Sequence, residues 1–456
     1  MSIHWMSILP LVAMFVIATV LPINMGVLAF AGAFLVGTLV AGMTGKAIIA
    51  GFPADLFLTL AGITYLFAIA QNNGTIDWLV RLAVRGVRGR IAAIPWIMFF
   101  IAAALTSVGA VSPAAVAIIA PIALGFAAKH GINPLMMGLM VIHGAQAGGF
   151  SPISIYGGIT NKIVSNAGLP VSEMTTMMAS FGVNFAVSLG LFFFLGGAKL
   201  LRKQNTAVDS ELPPVPPVAR AQGGPQVFGG AEGQSLSESR RVANSQSSML
   251  GQVYSQTFQS TNIHQVITAC GLLLLAVLTL LYKLDIGFVS ITIGLVLSLM
   301  QPRLQKSALG QVSWPEIMLI VGVSTYVGVM EKMGTIDYVG NSVANLTSPV
   351  MAALLLCFVG AVISAFASST AVLGSLIPLG VPFLMGENSG LAIGFIAAMA
   401  VSSTIVDVSP FSTNGALVLA NAKGVDRDRF FRTLLIYGAA VTVIAPVVVW
   451  LLFVVL

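Results

Sequence analysis

Apolar segments of roughly 20 residues follow one another through most of the chain, and that is the length a helix needs to cross a bilayer core of about 30 Å. In hydrocarbon every backbone polar group must be satisfied within its own element, so helices are the expected solution. Composition agrees. Of 456 residues, 57% are hydrophobic and 8% charged, with a mean hydropathy of +0.97. A soluble domain carries about a quarter charged residues. The net charge of +6 would suit a nucleic-acid partner, but the basic residues fall in short gaps between apolar spans, as topology signals do. Cys270 and Cys357 both lie inside apolar spans and are expected to be buried structural thiols rather than a disulfide or metal pair. Residues 6–21 lack a positively charged leader and a small-residue cleavage site, and read as a retained first helix.

One segment differs. Residues 199–263 are rich in Ser, Gln, Gly and Pro, including PPVPPVARAQGGPQ. Such a stretch buries too little apolar surface to fold and reads as a flexible cytoplasmic linker. It separates a first half, 1–198, from a second, 264–456. The halves match each other. Gly74-Thr75-Ile76-Asp77 recurs as Gly334-Thr335-Ile336-Asp337, AGITY as VGVST, and LPINMGVLAF as LYKLDIGFVS. SVGAVSPAAVAIIAP recurs as SAFASSTAVLGSLIP, and SPISIYGG as SPFSTNGA. The five matches are collinear, with spacings that drift by only a few residues.

Each half contains the same elements. The first has spans near 6–21, 24–43 and 53–71, an amphipathic stretch at TIDWLVRLAVRGVRGR, paired short arms at 92–110 and 113–128, a span broken near Gly148-Gly149, and a last span at 174–198. The second has 264–282, 285–300, 315–333, 335–347, 349–367 with 369–385, 391–422 and 432–455. The arms read as re-entrant helical hairpins, 92–128 and 349–385, with small polar residues at their tips. Five crossings per half is odd, so the second half is expected upside down relative to the first. With the N-terminus outside, 17 of the 21 basic residues fall on the cytoplasmic side and only Lys46, Lys162, Lys283 and Lys332 outside, as the positive-inside rule requires. The expected fold is thus an all-α polytopic membrane protein of two inverted repeats, a form recurrent in secondary transporters.

Irregular backbone at membrane depth persists only where protein or a water-filled cavity covers it. The hairpin tips and the two Ser-Pro breaks should therefore converge. They bring Ser107, Ser112, Ser151 and Ser154 from one half, and Ser364, Ser368, Ser369, Thr370, Ser409, Ser412, Thr413 and Asn414 from the other. Hydroxyl and carbonyl oxygens suit a hard cation, and helix N-termini suit an anion. Every arginine and lysine lies in a loop or at a span end, so a carboxylate there would be held by helix ends, hydroxyls and bound cations. Membrane serines also commonly bond only backbone. Asp407, before the second break, is a candidate cation or proton site, with a capping role as the alternative. His143, in the matching span, is either a satisfied interior histidine or a proton-sensitive residue. Asp77 and Asp337 sit on amphipathic connectors in capping or interfacial roles, and Asp55 and Glu316 near span entrances.

At these motifs the chain resembles the divalent anion:sodium symporter group of the ion transporter superfamily, above all its malonate/dicarboxylate carrier branch, through GGFSPISIYGGITNKIV. The group carries Ser-Asn-Thr at each hairpin tip, preceded four residues earlier by Ser or Thr. Ser364 before Ser368-Ser369-Thr370 fits with Ser for Asn; Ser107 before Val111-Ser112-Pro113 keeps only the middle hydroxyl. The resemblance implies a cation site at Ser107, Ser112 and the backbone of Phe150, and another at Ser364, Ser368, Ser369 and the backbone of Val408. It implies a dicarboxylate among Ser112, Pro113, Ser151, Pro152, Ser369, Thr370, Ser409, Pro410 and Asn414. It further implies symport of sodium, with protons as the alternative, no cofactor, an elevator movement, a homodimer, and a bacterial inner membrane. An arsenite-type inorganic-anion permease, a cation/proton antiporter and a citrate carrier stand as alternatives. No HExxH, GxSxG or paired-aspartate motif points to an enzyme, and mid-membrane polar dead ends argue against a channel.

Overall fold

A computed structural model describes residues 2–21, 23–76, 91–202, 263–336, 348–365, 369–384, 390–422 and 425–456, with 78–79, 82, 338–339 and 342. Asp77, Asp337, Ser368 and most of the proposed linker lie outside the described residues. Within them the protein is helical, and no strand occurs.

The first half runs α1 (Trp5–Val20), α2 (Met25–Leu35, continued by a wider π turn Val36–Val40), α3 (Gly45–Ile49), α4 (Ala54–Asn72), α5 (Ile94–Ser107), α6 (Ser112–His130), α7 (Pro134–Ala147), α8 (Ile155–Asn166), α9 (Glu173–Phe194) and α10 (Gly197–Arg202). After residue 263 come α11 (Ile263–Leu280), α12 (Ile286–Met300), α13 (Pro302–Gly310), α14 (Trp314–Lys332), α15 (Pro349–Ser364), α16 (Ser369–Leu384), α17 (Ala392–Ile405), α18 (Thr413–Asn421) and α19 (Arg427–Trp450, continued as a π turn Leu451–Val455). Among the described residues five helices are individually long and apolar enough to span: α4, α6, α9, α11, and α19 with its continuation. α13 and α14 form a sixth span if taken together, bent by 51°.

Most boundaries fall within a few residues of the sequence expectation, and the departures have local causes. α19 starts at Arg427 rather than 432 because Asp426 caps it, accepting from the backbone N–H of Asp428 and Arg429 at 3.1 Å. α6 runs past 128 to His130 and stops at Gly131, whose φ of +64° is the left-handed cap glycine tolerates. The hairpin arms α5 and α6 are therefore unequal, 14 and 19 residues. The amphipathic α13 fills a gap that the apolar spans had left blank. Cys270 is exposed on α11, not buried as expected; Cys357 is buried. A helix apolar all round carries no period that separates its lipid face from its protein face.

Packing is reciprocal between the halves. α2 packs on α14, and α12 packs on α4. Both crossings are made by glycine. A Cβ on Gly26 would lie 1.9 Å from Met318 O, and one on Gly322 2.2 Å from Gly26 O. On the other side, a Cβ on Gly62 would lie 2.7 Å from Gly287 O, and one on Gly287 2.9 Å from the Leu58 carbonyl carbon. Lipid gives no hydrophobic push between helices, so such small-residue contacts bring backbones into direct van der Waals attraction. The same residues stand in register in the repeat: Gly26 with Gly287, and Gly62 with Gly322. Asn24 and Asp285, also in register, cap α2 and α12. Within each half, α5 packs on α7 and α7 on α9, as α15 does on α17 and α17 on α19.

Burial sorts the helices. Every residue of α7 from Leu135 to Ala147, and of α17 from Phe395 to Ile405, is buried. Outer helices expose apolar side chains such as Leu39, Phe194, Leu281 and Leu299, the surface a bilayer would cover. The two broken spans thus form the protein's interior.

Candidate functional site

The breaks are built by one local rule used twice. α7 stops at Ala147 and the chain resumes as α8; α17 stops at Ile405 and resumes as α18. Between them runs Ser-Pro-x-Ser-x-x-Gly, at Ser151–Gly157 and Ser409–Gly415. The Ser151 hydroxyl accepts from Ile153 N–H at 3.4 Å, and that of Ser409 from Phe411 N–H at 3.2 Å. Ser154 and Ser412 cap the resumed helices, accepting from Gly157 N–H at 3.2 Å and Gly415 N–H at 3.3 Å. Each also donates to the carbonyl three residues back, Ser151 O or Ser409 O, at 2.7 Å. The carbonyl of Ser151 or Ser409 sits where a side chain at the glycine would be: a Cβ on Gly157 or Gly415 would lie 2.0 or 1.9 Å from it. The cap serines of the expected hydroxyl cluster are thus engaged in making the break.

The hairpin tips lie against these breaks. In the first, α5 ends at Ser107 and α6 begins at Ser112, with Gly109 at φ +112° in the four-residue turn. Only glycine takes that conformation without strain. Ser107 Oγ donates to Gly148 O at 3.4 Å, tying the first tip to the first break. Pro113 occupies the first turn of α6, where its missing N–H costs nothing. In the second hairpin, Ser364 and Ser369 share a hydrogen bond of 2.8 Å across the tip, and Thr370 beside them is buried. The larger contacts cross between halves: α6 packs on α18, and α16 packs on α8.

Asn414 makes the side-chain connection between first tip and second break. Its Nδ2 donates to Ser112 Oγ at 2.8 Å and to Asp407 Oδ2 at 2.9 Å. The Asn414 backbone N–H reaches Asp407 Oδ1 at 3.5 Å. Asn414 is wholly buried, and its Oδ1 has no hydrogen-bond partner. Asp407 is the one Asp, Glu, Lys or Arg buried among the described residues. Ser412 is the N-cap residue of α18, and the Asp407 contact to the Asn414 N–H adds a second acceptor at that helix start, in keeping with the capping alternative considered from sequence. Phe150, Ser151, Val408, Ser409 and Pro410 are buried in the breaks, and Pro152 partly. The ion pair Lys162–Asp55, 2.7 Å, lies at partly exposed helix ends away from these groups.

His143 stands apart. Its Nδ1 faces Asn184 Oδ1 at 2.8 Å and its Nε2 faces Tyr437 OH at 2.7 Å. Asn184 Nδ2 donates to Ser180 O at 2.9 Å, so the amide oxygen is turned to the ring. Nδ1 then carries the proton and Nε2 accepts from the tyrosine. The ring ties α7 to α9 and α19 as a satisfied interior histidine.

Sequence reasoning passed over Gln146, Asn184 and Tyr437. Gln146 is 1% exposed, one turn beyond His143, and neither Oε1 nor Nε2 has a hydrogen-bond partner. Its signal was an uncharged amide inside the run MGLMVIHGAQAGGF, apolar but for His143. Among the described residues no three His, Cys, Asp or Glu side chains gather. The donors available to a cation here are hydroxyl, amide and carbonyl oxygens, with Asp407 the one carboxylate, a set that suits hard ions.

Comparison with known proteins follows this division of the chain. Residues 1–149 match the family model "Dicarboxylate carrier protein MatC N-terminus", and residues 276–456 match "Citrate transporter". No curated protein matches in a sequence search. Among solved structures, the YdaH transporter of Alcanivorax borkumensis is similar with a TM-score of 0.56 and 14% identity, over 89% of this chain and 87% of that one. MtrF of Neisseria gonorrhoeae, described with a class of antimetabolite efflux pumps, is similar with a TM-score of 0.53 and 14% identity, over 92% and 85%. These two likenesses are of fold. With its first part similar to a dicarboxylate carrier family, its last part similar to a citrate transporter family, and a helical fold shared with solved transporters over nearly the whole length, the chain is a polytopic membrane secondary transporter rather than an enzyme.

Proposed function

We propose that the protein is a cation-coupled symporter of small dicarboxylates, of malonate or C4 size, working by an elevator movement of its hairpin-bearing part. It acts as a homodimer in a bacterial inner membrane, its two repeats inverted and its N-terminus outside. The observation that carries this reading is the Ser112–Asn414–Asp407 chain, which joins a hairpin of one half to the break of the other with no lysine or arginine buried among the described residues. A dianion beside Asp407 meets a like charge at low dielectric, where repulsion is strong. A sodium ion or a proton taken up with the substrate removes that repulsion, so binding of one depends on the other. Ser107, Ser112 and the backbone at Phe150, and Ser364, Ser368, Ser369 and the backbone at Val408, would supply cation oxygens. Ser112, Ser151, Ser369, Thr370, Ser409 and Asn414 would face the acid, with Pro113, Pro152 and Pro410 ending the helices around it.

The topology has support of its own. Five contacts join chain segments that the positive-inside count assigns to one side: Lys162 with Asp55, Lys332 with Ala47 O, Asn24 with Pro315 O, Asn133 with Leu195 O, and Trp450 with Val350 O. The reciprocal glycine crossings are those of two related halves.

The test is uptake of labelled malonate, malate, succinate and citrate into proteoliposomes, with sodium and pH gradients imposed separately. Saturable uptake of a dicarboxylate driven by one gradient is expected. Uptake independent of both would end the symport reading. Preference for citrate would favour a tricarboxylate carrier, the reading suggested by the family match over 276–456.

A further inference from the structure

α7 is packed by α5, α6 and α9, and its glycines and His143 locate the faces that meet α18, α5, and α9 with α19. A Cβ on Gly138 would lie 2.3 Å from Val418 Cγ1, so that face meets α18. A Cβ on Gly144 would lie 2.3 Å from Phe99 O, and one on Gly148 2.0 Å from Ala103 O, so that face meets α5. His143 bonds Asn184 of α9 and Tyr437 of α19. At about 100° per residue, Gln146 falls about 80° from Gly138 and about 60° from His143, between them, and about 160° from the α5 face. The space between α18 and the Tyr437–Gly438 turn of α19 holds the second break, because a Cβ on Gly438 would lie 3.0 Å from Ser409 Cα. Gln146 therefore stands on the face of α7 turned toward residues 406–412.

A carboxamide in that position without partners is costly. A buried polar group left unpaired loses about 1–3 kcal/mol relative to one that is bonded, and the great majority of such groups are paired. Here both atoms of one amide are orphaned, and Asn414, at the start of α18, contributes a third, its Oδ1. Orphaned groups beside a chain break mark a place where a ligand completes the bonding. An amide adds two N–H donors without charge, which is what recognition of an acid requires where arginine is missing.

We propose that Gln146 is a substrate-contacting, specificity-determining residue: its Nε2 donates to a carboxylate oxygen of the transported acid at the second break. The assignment rests on the carboxylate-carrier reading above. It gives the first half's broken span a side-chain role in binding, where the repeat places Thr404 in the second half, its hydroxyl already bonded to Ala400 O at 2.9 Å.

The experiment compares wild type, Gln146→Met and Gln146→Glu as purified full-length protein, by thermal unfolding with and without each of the four acids and by uptake kinetics. Methionine keeps the volume and removes both orphaned atoms, so Gln146→Met is expected to melt no lower than wild type. It should lose the upward shift caused by substrate, and its KM should rise at least about tenfold with Vmax within twofold, the loss of one hydrogen bond to a charged group. Gln146→Glu should lose the substrate shift as well. A Gln146→Met protein with wild-type KM and wild-type substrate shift overturns the assignment. So does one that melts lower with KM unchanged, since the amide then serves only packing or a buried water. A wild-type protein that neither shifts with nor transports any of the four acids overturns the carrier reading itself, and this assignment with it.

Discussion

Replacing Asn414 by alanine removes two bonds given by one nitrogen, and their difference in strength makes a quantitative test. The bond to Ser112 Oγ, 2.8 Å, joins neutral groups and is worth about 0.5–1.5 kcal/mol. The bond to Asp407 Oδ2, 2.9 Å, has a carboxylate acceptor and is worth about 1.5–3 kcal/mol. Asn414→Ala should therefore destabilise the protein by about 2–4 kcal/mol, at the lower end if the chain finds other partners when unfolded in the membrane. The bonds separate in double-mutant cycles, read by denaturant unfolding in mixed micelles. Asn414→Ala with Ser112→Ala should give a coupling energy of about 0.6–1.5 kcal/mol, and Asn414→Ala with Asp407→Asn a larger one. Two couplings below about 0.3 kcal/mol, with all single variants folded, would refute the link between first hairpin and second break, because uncoupled sites add within that margin.

Four further outcomes are expected. Gly157→Ala and Gly415→Ala should each cost about 3 kcal/mol or more, because their new methyl groups meet a backbone carbonyl that cannot move without undoing the break. Gly182→Ala, facing open space within α9, should not lower the melting temperature, because alanine favours a helix over glycine. Tyr437→Phe, which strips His143 of one partner, should lower stability by about 1 kcal/mol while leaving the pH profile of uptake as in wild type; a displaced profile would restore the histidine as a proton-sensing group. Ser369→Ala and Ser409→Ala should cut uptake without loss of folded protein, measured by size-exclusion elution beside transport, and wild-type rates in both would remove them from the site.

The motif Ser-Pro-x-Ser-x-x-Gly shows how far local chemistry reaches. Proline, a capping hydroxyl and a glycine three residues on specify a helix break wherever they occur, so both breaks were legible as sequence. Spans were equally legible, because hydropathy over about 20 residues is a property of the segment alone. The repeat followed from comparing the chain with itself, and the glycines in register at 26 and 287, and at 62 and 322, turned out to be the crossings that hold its halves together. Asp407 could be suspected from its cost in the membrane. Its partners could not.

What tertiary structure alone decided is which groups meet. Ser112 and Asn414 are separated by 302 positions, and no local pattern says that one hairpin tip rests on the other half's break. Helices that are apolar on every side carry no period marking the face that turns inward. Hence Gln146 and Cys270 looked alike from sequence, as polar or soft residues within apolar runs, although one is sealed in the interior and the other faces outward. His143 was undecided for the same reason: a histidine's chemistry depends on what each ring nitrogen bonds, and its partners arrive from two helices distant in sequence. Sequence set the elements and their breaks through short-range physics, and long-range packing chose their neighbours.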